Sequence, residues 1–286
     1  MPETDIKKGF KKAREITRKF AKTFYLASLF LPQEKKYASY AIYAICRLSD
    51  ETVDDPGARG EEGLRALEAR INGAYSGSGS NEELLEAFRL VAGKYAIPKE
   101  YFSLLIEGMR MDLSVRRYAD YPSLDKYCYR AAGVVGLIML KIFGYDDSRA
   151  EGYAVKMGNA MQITNILRDI KEDLGRGRIY LPQDEMRRFG VHALPPSGEA
   201  EEKGFCEFMR FQVARCRELY REAAKGIKLI SCPACRFVAL CMYKLYAGIL
   251  DEIEKNSYRV FKGRAYVANA RKAHIIFNII LKREYL

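Results

Sequence analysis

Two short acidic stretches carry the most chemistry in this sequence: Asp50-Glu51-Thr52-Val53-Asp54-Asp55 and Asp169-Ile170-Lys171-Glu172-Asp173. Both read as helical, so Asp50 and Asp54 share one helix face, and Asp169 and Asp173 share another. If the two helices face each other, four carboxylates surround one space and repel. A hard divalent cation resolves that repulsion. Mg²⁺ prefers carboxylate oxygen, keeps several waters and bridges to substrate phosphates. The expectation is a Mg²⁺-diphosphate site between two helices, with Asp50, Asp54, Asp169 and Asp173 as its ligands.

Each pair continues into a polar stripe. Tyr43, Arg47, Asp50 and Asp54 fall at i, i+4, i+7 and i+11 beside Ala41, Ile42, Ala44 and Ile45. Gln162, Asn165, Asp169 and Asp173 fall at i, i+3, i+7 and i+11 beside Met157, Ile163, Ile166 and Leu167. Neither is an ordinary core face. A lone Asp pair at this spacing is most often a solvated surface, Arg47 could simply partner Asp50, and Gln162 and Asn165 could be satisfied core amides. Two pairs flanked by Arg and amides favour a site.

The elements that must position these stripes are all helical in pattern. Helices are expected over residues 5–21, 33–54, 58–75, 81–96 and 98–116, with Pro32 opening the second and Pro56-Gly57 closing it. A Ser-Gly-rich loop is expected over 73–80. Ser123 is a candidate cap for a nearly apolar helix over 124–143, in which Gly133 and Gly136 permit close helix contact. One long helix over about 148–174 carries the second stripe. After a linker over 192–198 come helices over 199–230, 233–255 and 264–284, the last bearing Arg264, Arg271 and Lys272. No alternating strand pattern persists, and no repeat is evident. The reading is all-α, a single domain over 1–286 with helices packed around a central cavity.

The chain has 286 residues, 49% of them apolar, and a net charge of +11. That charge suits an anionic substrate or an anionic surface. The basic residues are dispersed, which argues against nucleic acid. Seven scattered cysteines and no signal peptide imply a reducing, cytoplasmic setting. Cys232-Pro-Ala-Cys235 has redox spacing, but no second pair completes a zinc site. The best apolar run, 131–140, is too short to span a membrane, which leaves peripheral attachment open.

Ionising an allylic diphosphate needs a neutralised leaving group, exclusion of water and an apolar slot for the tail. Lys22, Arg47, Arg168 and Arg264 are candidate cations. The 20 Tyr and 14 Phe of this tryptophan-free chain can line the slot and steady a carbocation. The small residues Ala27 and Ser28 hint at room for a longer tail. Glu107 to Asp112 reads as helix packing more readily than as chemistry. His192 and His274 lack the partners of a hydrolase, and there is no Gly-rich phosphate loop or dinucleotide fingerprint.

The chain resembles the squalene/phytoene synthase family, and within it the phytoene-forming members. The likeness rests on Ala21-Lys22-Thr23-Phe24-Tyr25-Leu26, on Tyr43-Ala44-Ile45-Cys46-Arg47 with Asp50-Glu51-Thr52-Val53-Asp54, and on Glu107-Gly108-Met109-Arg110-Met111-Asp112-Leu113. It continues through Tyr127-Cys128-Tyr129-Arg130-Ala131-Ala132-Gly133-Val134-Val135-Gly136, Gln162 to Asp169, Gly177-Arg178-Ile179-Tyr180-Leu181-Pro182 and Arg264-Ala265-Tyr266-Val267. The resemblance implies the isoprenoid-synthase fold, dependence on Mg²⁺ or Mn²⁺, and head-to-head joining of two prenyl diphosphates. For the phytoene branch these are two geranylgeranyl diphosphates, joined without NADPH. It implies metal-diphosphate binding by the four aspartates and a diphosphate grip by Lys22, Thr23, Arg47, Arg168 and Arg264. Tyr43, Gln162, Asn165 and Tyr246 match the polar lining, and Tyr127 or Tyr129 the tyrosine near the reacting carbons. Two departures are Ala21, where serine is common, and Arg130, where a small or aromatic residue is. Rival readings are a C15-using squalene, dehydrosqualene or presqualene diphosphate synthase, a non-catalytic prenyl-lipid binder, and a helical scaffold. Oligomeric state is left open.

Overall fold

The computed structural model describes residues 3–54, 60–77 and 82–285; the side chains of residues 3–5 and of Asp54 lie outside the described part. The N-terminal half holds α1 (Glu3–Phe20), α2 (Lys22–Ser28), α3 (Gln33–Asp54), α4 (Glu61–Ser76), α5 (Glu83–Lys94) and α6 (Lys99–Ser114). Strand β1 (Arg117–Tyr118) follows, then α7 (Tyr121–Cys128), a π-helical turn (Tyr129–Gly133) and α8 (Val134–Phe143). The second half holds α9 (Arg149–Arg168), α10 (Ile170–Gly175), β2 (Ile179–Pro182), α11 (Gln183–Arg188), α12 (Glu199–Ala224), α13 (Pro233–Lys255) and α14 (Asn269–Lys282).

Two clusters of buried side chains form the core. One is built on α3, α5, α6, α8 and α13. The other lies among α7, α9, α12 and the end of α13. Ala131, Met157, Tyr243 and Ile275 touch both clusters and join them. The expected close contact at the glycines is real and extends to Gly158. A Cβ on Gly136 would stand 2.3 Å from the Ala154 carbonyl oxygen, and one on Gly158 would stand 2.2 Å from that of Ala132. Only glycine lets α8 and the π turn lie this close to α9.

Several expected boundaries are corrected. The apolar helix over 124–143 is two helices joined by the π turn, and it starts earlier. Asp120, not Ser123, caps α7, its carboxylate accepting from the Ser123 N–H at 2.9 Å. The long helix over 148–174 breaks at Asp169, which has φ −104° and ψ 14°. Residues 73–76, expected in a loop, end α4; residues 78–81 lie outside the described part. Arg264 lies in coil, because the last helix begins at Asn269.

Two short strands also form within the all-α fold. β1 and β2 are parallel, with Arg117 opposite Ile179 and Tyr118 opposite Pro182. At two and four residues they are too short to show a period of two. Finally, α13 is long and apolar enough to cross a membrane, which the sequence reading did not foresee. Its buried Cys235, Val238, Cys241, Leu245 and Leu250 make it a core helix of this fold.

Candidate active site

α3 presents the first stripe beside its buried face. Ala41, Ile42, Ala44, Ile45 and Ser49 are fully buried. Tyr43, Arg47 and Asp50 are half-buried beside them. The Arg47 Nε donates to Glu51 Oε1 at 2.9 Å, so its helical partner is Glu51 rather than Asp50. Its guanidinium also lies over the Phe20 ring, 4.3 Å from the centroid. Burial, then the nearby Asp50 charge, pushes the Tyr43 hydroxyl far above its ordinary range. The Asp54 side chain, an expected metal ligand, lies outside the described residues.

The second stripe is bent at its centre. Asp169 closes α9 and opens α10, and its N–H still donates to Asn165 O at 2.9 Å. Two guanidiniums reach its carboxylate. Arg168 donates at 2.7 and 2.5 Å, and Arg264 donates at 2.8 and 3.0 Å. Asp173, one turn on, has a different environment. Burial and the neighbouring Asp169 charge push its carboxyl up to about 7. Beside it is a cavity of ≈10 Å³, about one water in size, lined by Ile166, Arg178 and Tyr180 among others.

Two tyrosines connect the stripes. Tyr43 on α3 is within electrostatic reach of Asp50, Arg47 and Tyr246. Tyr246 on α13 is within reach of Arg168, Asp169 and Arg264. α13 packs on α9, and its Tyr246, within reach of Tyr43, supplies the bridge to α3. The chain start enters the same region through α2. Lys272 of α14 donates to Thr23 Oγ1 at 3.0 Å, and burial together with the Lys22 charge lowers its pKa. Two ammonium groups and a hydroxyl thus gather where α2 meets α14. Lys272 was left out of the site expected from sequence, because nothing in its own helix marks it.

Tyr127 and Tyr129, offered as alternatives, are separated by the π turn. Tyr127 is buried and its hydroxyl donates to Asp112 Oδ2 at 3.1 Å. Tyr180 donates to Asp112 Oδ1 at 2.6 Å, and Arg178 Nε donates to the Asp112 carbonyl at 3.1 Å. The rings of Tyr118, Tyr127 and Tyr180 stack together, with Tyr127 and Tyr180 centroids 5.0 Å apart. Gln162 Nε2 reaches the Tyr127 hydroxyl at 3.5 Å, tying this cluster to the second stripe. Tyr129 packs instead against the first core cluster. Asp112 therefore does more than helix packing: it receives two buried hydroxyls. The unexpected β1–β2 pair carries one of these donors, Tyr180, and the Tyr118 ring that stacks on it.

Other expectations resolve simply. Arg130 turns outward and donates to Glu107 Oε2 at 3.0 Å, so this departure stays out of the site. It lines an open groove of ≈570 Å³ with Glu107, Met111, Arg117 and Lys126, which none of the expected aspartates borders. Ala27 and Ser28 are fully buried, with Ser28 hydrogen-bonded to Tyr40 at 2.9 Å, and serve packing. Cys232 caps α13 within hydrogen-bonding reach of Cys235.

The residues suit a hard cation. Asp173 needs positive charge to ionise below neutrality, and the Asn165 Oδ1 acceptor, one turn before Asp169, is buried with no partner. Among the described residues, no three acidic, histidine or cysteine side chains stand close enough to cage an ion alone. The four-carboxylate cluster expected from sequence is thus not assembled among the described residues, the Asp54 side chain lying outside them.

Known proteins place this geometry in context. A family profile described as squalene/phytoene synthase matches residues 17–271. A 15-cis-phytoene synthase of Synechococcus elongatus is 37% identical over 281 residues, covering 93% of this chain and 91% of that protein. Phytoene synthase 1 of Zea mays is 38% identical over 285 residues, covering 95% and 68%. A crystal structure of a dehydrosqualene synthase with ligand superposes with a TM-score of 0.91 at 29% identity, covering both chains fully. The chain belongs to the squalene/phytoene synthase family, and its fold is the isoprenoid-synthase fold.

Proposed function

We propose that this member of the squalene/phytoene synthase family joins two geranylgeranyl diphosphates head to head into phytoene. The likeness to phytoene synthases of a cyanobacterium and a plant, over 93% and 95% of this chain, carries the choice of product. The paired stripes and their cations carry the choice of chemistry.

In this reading Asp50, Asp54, Asp169 and Asp173 hold Mg²⁺, with Mn²⁺ acceptable to the same oxygen donors. A bound divalent ion neutralises charge on the departing diphosphate. Lys22, Thr23, Arg47, Arg168, Arg264 and the added Lys272 donate to phosphoryl oxygens. Tyr43 and Tyr246 have hydroxyl pKa values raised by burial. They stay protonated and donate hydrogen bonds without becoming bases. Gln162, Asn165 and Tyr127 orient the reacting end.

The reaction balances without a reductant. Breaking the C1–O bond of the donor releases diphosphate and leaves an allylic cation. The double bond of the second substrate attacks it, and loss of one proton closes a cyclopropylcarbinyl diphosphate. Breaking that C–O bond, rearrangement and loss of a second proton give phytoene. Released diphosphate accepts the protons, and aromatic walls keep water from the cations. We read the catalytic unit as one domain over 1–286, supported by the four residues shared between its core clusters. Seven unbridged thiols support a reducing, cytoplasmic setting.

The dehydrosqualene synthase likeness supports one second reading, in which the substrates are C15. The test is a product assay with Mg²⁺, no NADPH, and C15 or C20 prenyl diphosphate, read by mass spectrometry. A C40 hydrocarbon from the C20 substrate is expected. A C30 product from the C15 substrate alone would replace the reading with the second one, and no product from either would overturn both.

A further inference from the structure

α14 is oriented opposite to an ordinary surface helix. The two cations near its start, Arg271 and Lys272, turn inward. Arg271 pairs with Asp251 at 2.5 Å and also with Glu252, and Lys272 bonds Thr23. Its outward side is apolar: Phe277 is 60% exposed and Leu281 67%, with Ile280 between them. Ile276 and Ile279 are buried on the inner side. A helix that is apolar on both sides is one that is covered on both sides.

The apolar surface continues onto α2. Lys272 bonding Thr23 sets the start of α14 beside the start of α2. At the other end, Phe30 packs on Phe237 at 4.8 Å and Phe237 on Tyr285 at 5.1 Å between centroids. Leu29 and Phe30, both exposed, therefore lie near the C-terminal end of α14. The border is basic. Lys282 and Arg283 are exposed at the end of α14, and Arg18 and Lys19 are exposed where α1 runs into α2. Neither residues 16–33 nor α14 contains an acidic residue.

We propose that this face, built from Leu29, Phe30, Phe277, Ile280 and Leu281, docks the protein on an anionic lipid bilayer. The combination of an apolar strip and a border in which exposed Lys and Arg outnumber Glu34 and Glu284 is that of an interfacial helix lying in the plane of a membrane. A second copy is a poorer occupant, because a two-fold contact would bring the same basic border against itself. Lys272 reaches inward from this helix toward Lys22 and Thr23, so the docked face lies behind the diphosphate-binding side proposed above.

The test uses the full chain and vesicles without substrate, so it stands apart from the assay of product. Wild type should sediment with vesicles of equal parts phosphatidylcholine and phosphatidylglycerol, and much less with phosphatidylcholine alone or in high salt. Phe277→Glu with Leu281→Glu should lower the partition coefficient about tenfold or more while keeping turnover of detergent-dispersed substrate. Since the chain has no tryptophan, Phe277→Trp gives a single tryptophan, excited selectively at the red edge beyond tyrosine absorption, whose emission should shift to the blue on adding the mixed vesicles. It also keeps the test open if the double variant misfolds. Failure of wild type to bind, equal binding by the double variant, or an unshifted Phe277→Trp spectrum would overturn the proposal. So would a wild-type dimer that the double variant converts to monomer.

Discussion

The Arg264 guanidinium holds both carboxylate oxygens of Asp169, at 2.8 and 3.0 Å, from a coil segment far along the chain. Arg168 holds the same carboxylate from the adjacent position. Asp169 is thus fixed in orientation at the bend between α9 and α10. The Arg264 side chain is about half exposed, so this pair adds little to stability, on the order of 1 kcal/mol or less.

Arg264→Ala should therefore leave the urea midpoint nearly unchanged and lower kcat/KM at least about tenfold, as a lost charge-assisted contact to phosphate does. Arg264→Lys should recover only part, since an ammonium cannot reproduce the two-pronged grip. A large loss of stability with normal turnover would return Arg264 to a structural role.

Asp173 offers a pH signature. Its folded pKa of about 7 lies above the ordinary aspartate value of 3.8. Between those values the folded state binds more protons than the unfolded state, so stability falls as pH rises. In chelator, unfolding free energy should drop by roughly 2–4 kcal/mol between pH 4 and 7.5 on this account. Asp173→Asn should flatten that slope and, with the carboxylate gone, cut kcat by orders of magnitude. An unchanged slope in urea titrations would remove the assignment.

Lys272 lies against Lys22 at the junction of α2 and α14, and burial with the Lys22 charge lowers its pKa. Lys272→Met should leave thermal stability equal or higher, because it relieves like-charge repulsion, yet raise KM for the prenyl diphosphate several-fold or more. Inorganic diphosphate, titrated by calorimetry, should bind the variant more weakly. Equal affinity would show that the two lysines merely coexist there.

Asp112 is buried, 6% exposed, and accepts from Tyr127 and Tyr180. Tyr180→Phe removes one donor from a buried carboxylate and should cost about 1–3 kcal/mol. Tyr127→Phe should cost a similar amount and also reduce turnover, since Gln162 reaches that hydroxyl. Denaturation and steady-state kinetics on the two variants separate the shared structural effect from the added catalytic one. Equal kinetic behaviour would confine Tyr127 to the core.

The stripe Tyr43, Arg47, Asp50 and the stripe Gln162, Asn165, Asp169, Asp173 were legible in the chain, because a helix repeats every 3.6 residues and its faces are local facts. So were most helices, and the close contact at Gly136. The strands at Arg117 and Ile179 were not, because each is too short to carry a period and exists only through its partner. Neither was the break at Asp169, where long-range contacts override a continuous helical pattern. The partnering of Asp169 with Arg264, of Lys272 with Thr23 and of Asp112 with Tyr180 was decided by tertiary structure alone. Local spacing says which side chains share a face; which distant side chain they meet depends on how whole helices pack, and that is set by the summed burial of the core rather than by any motif.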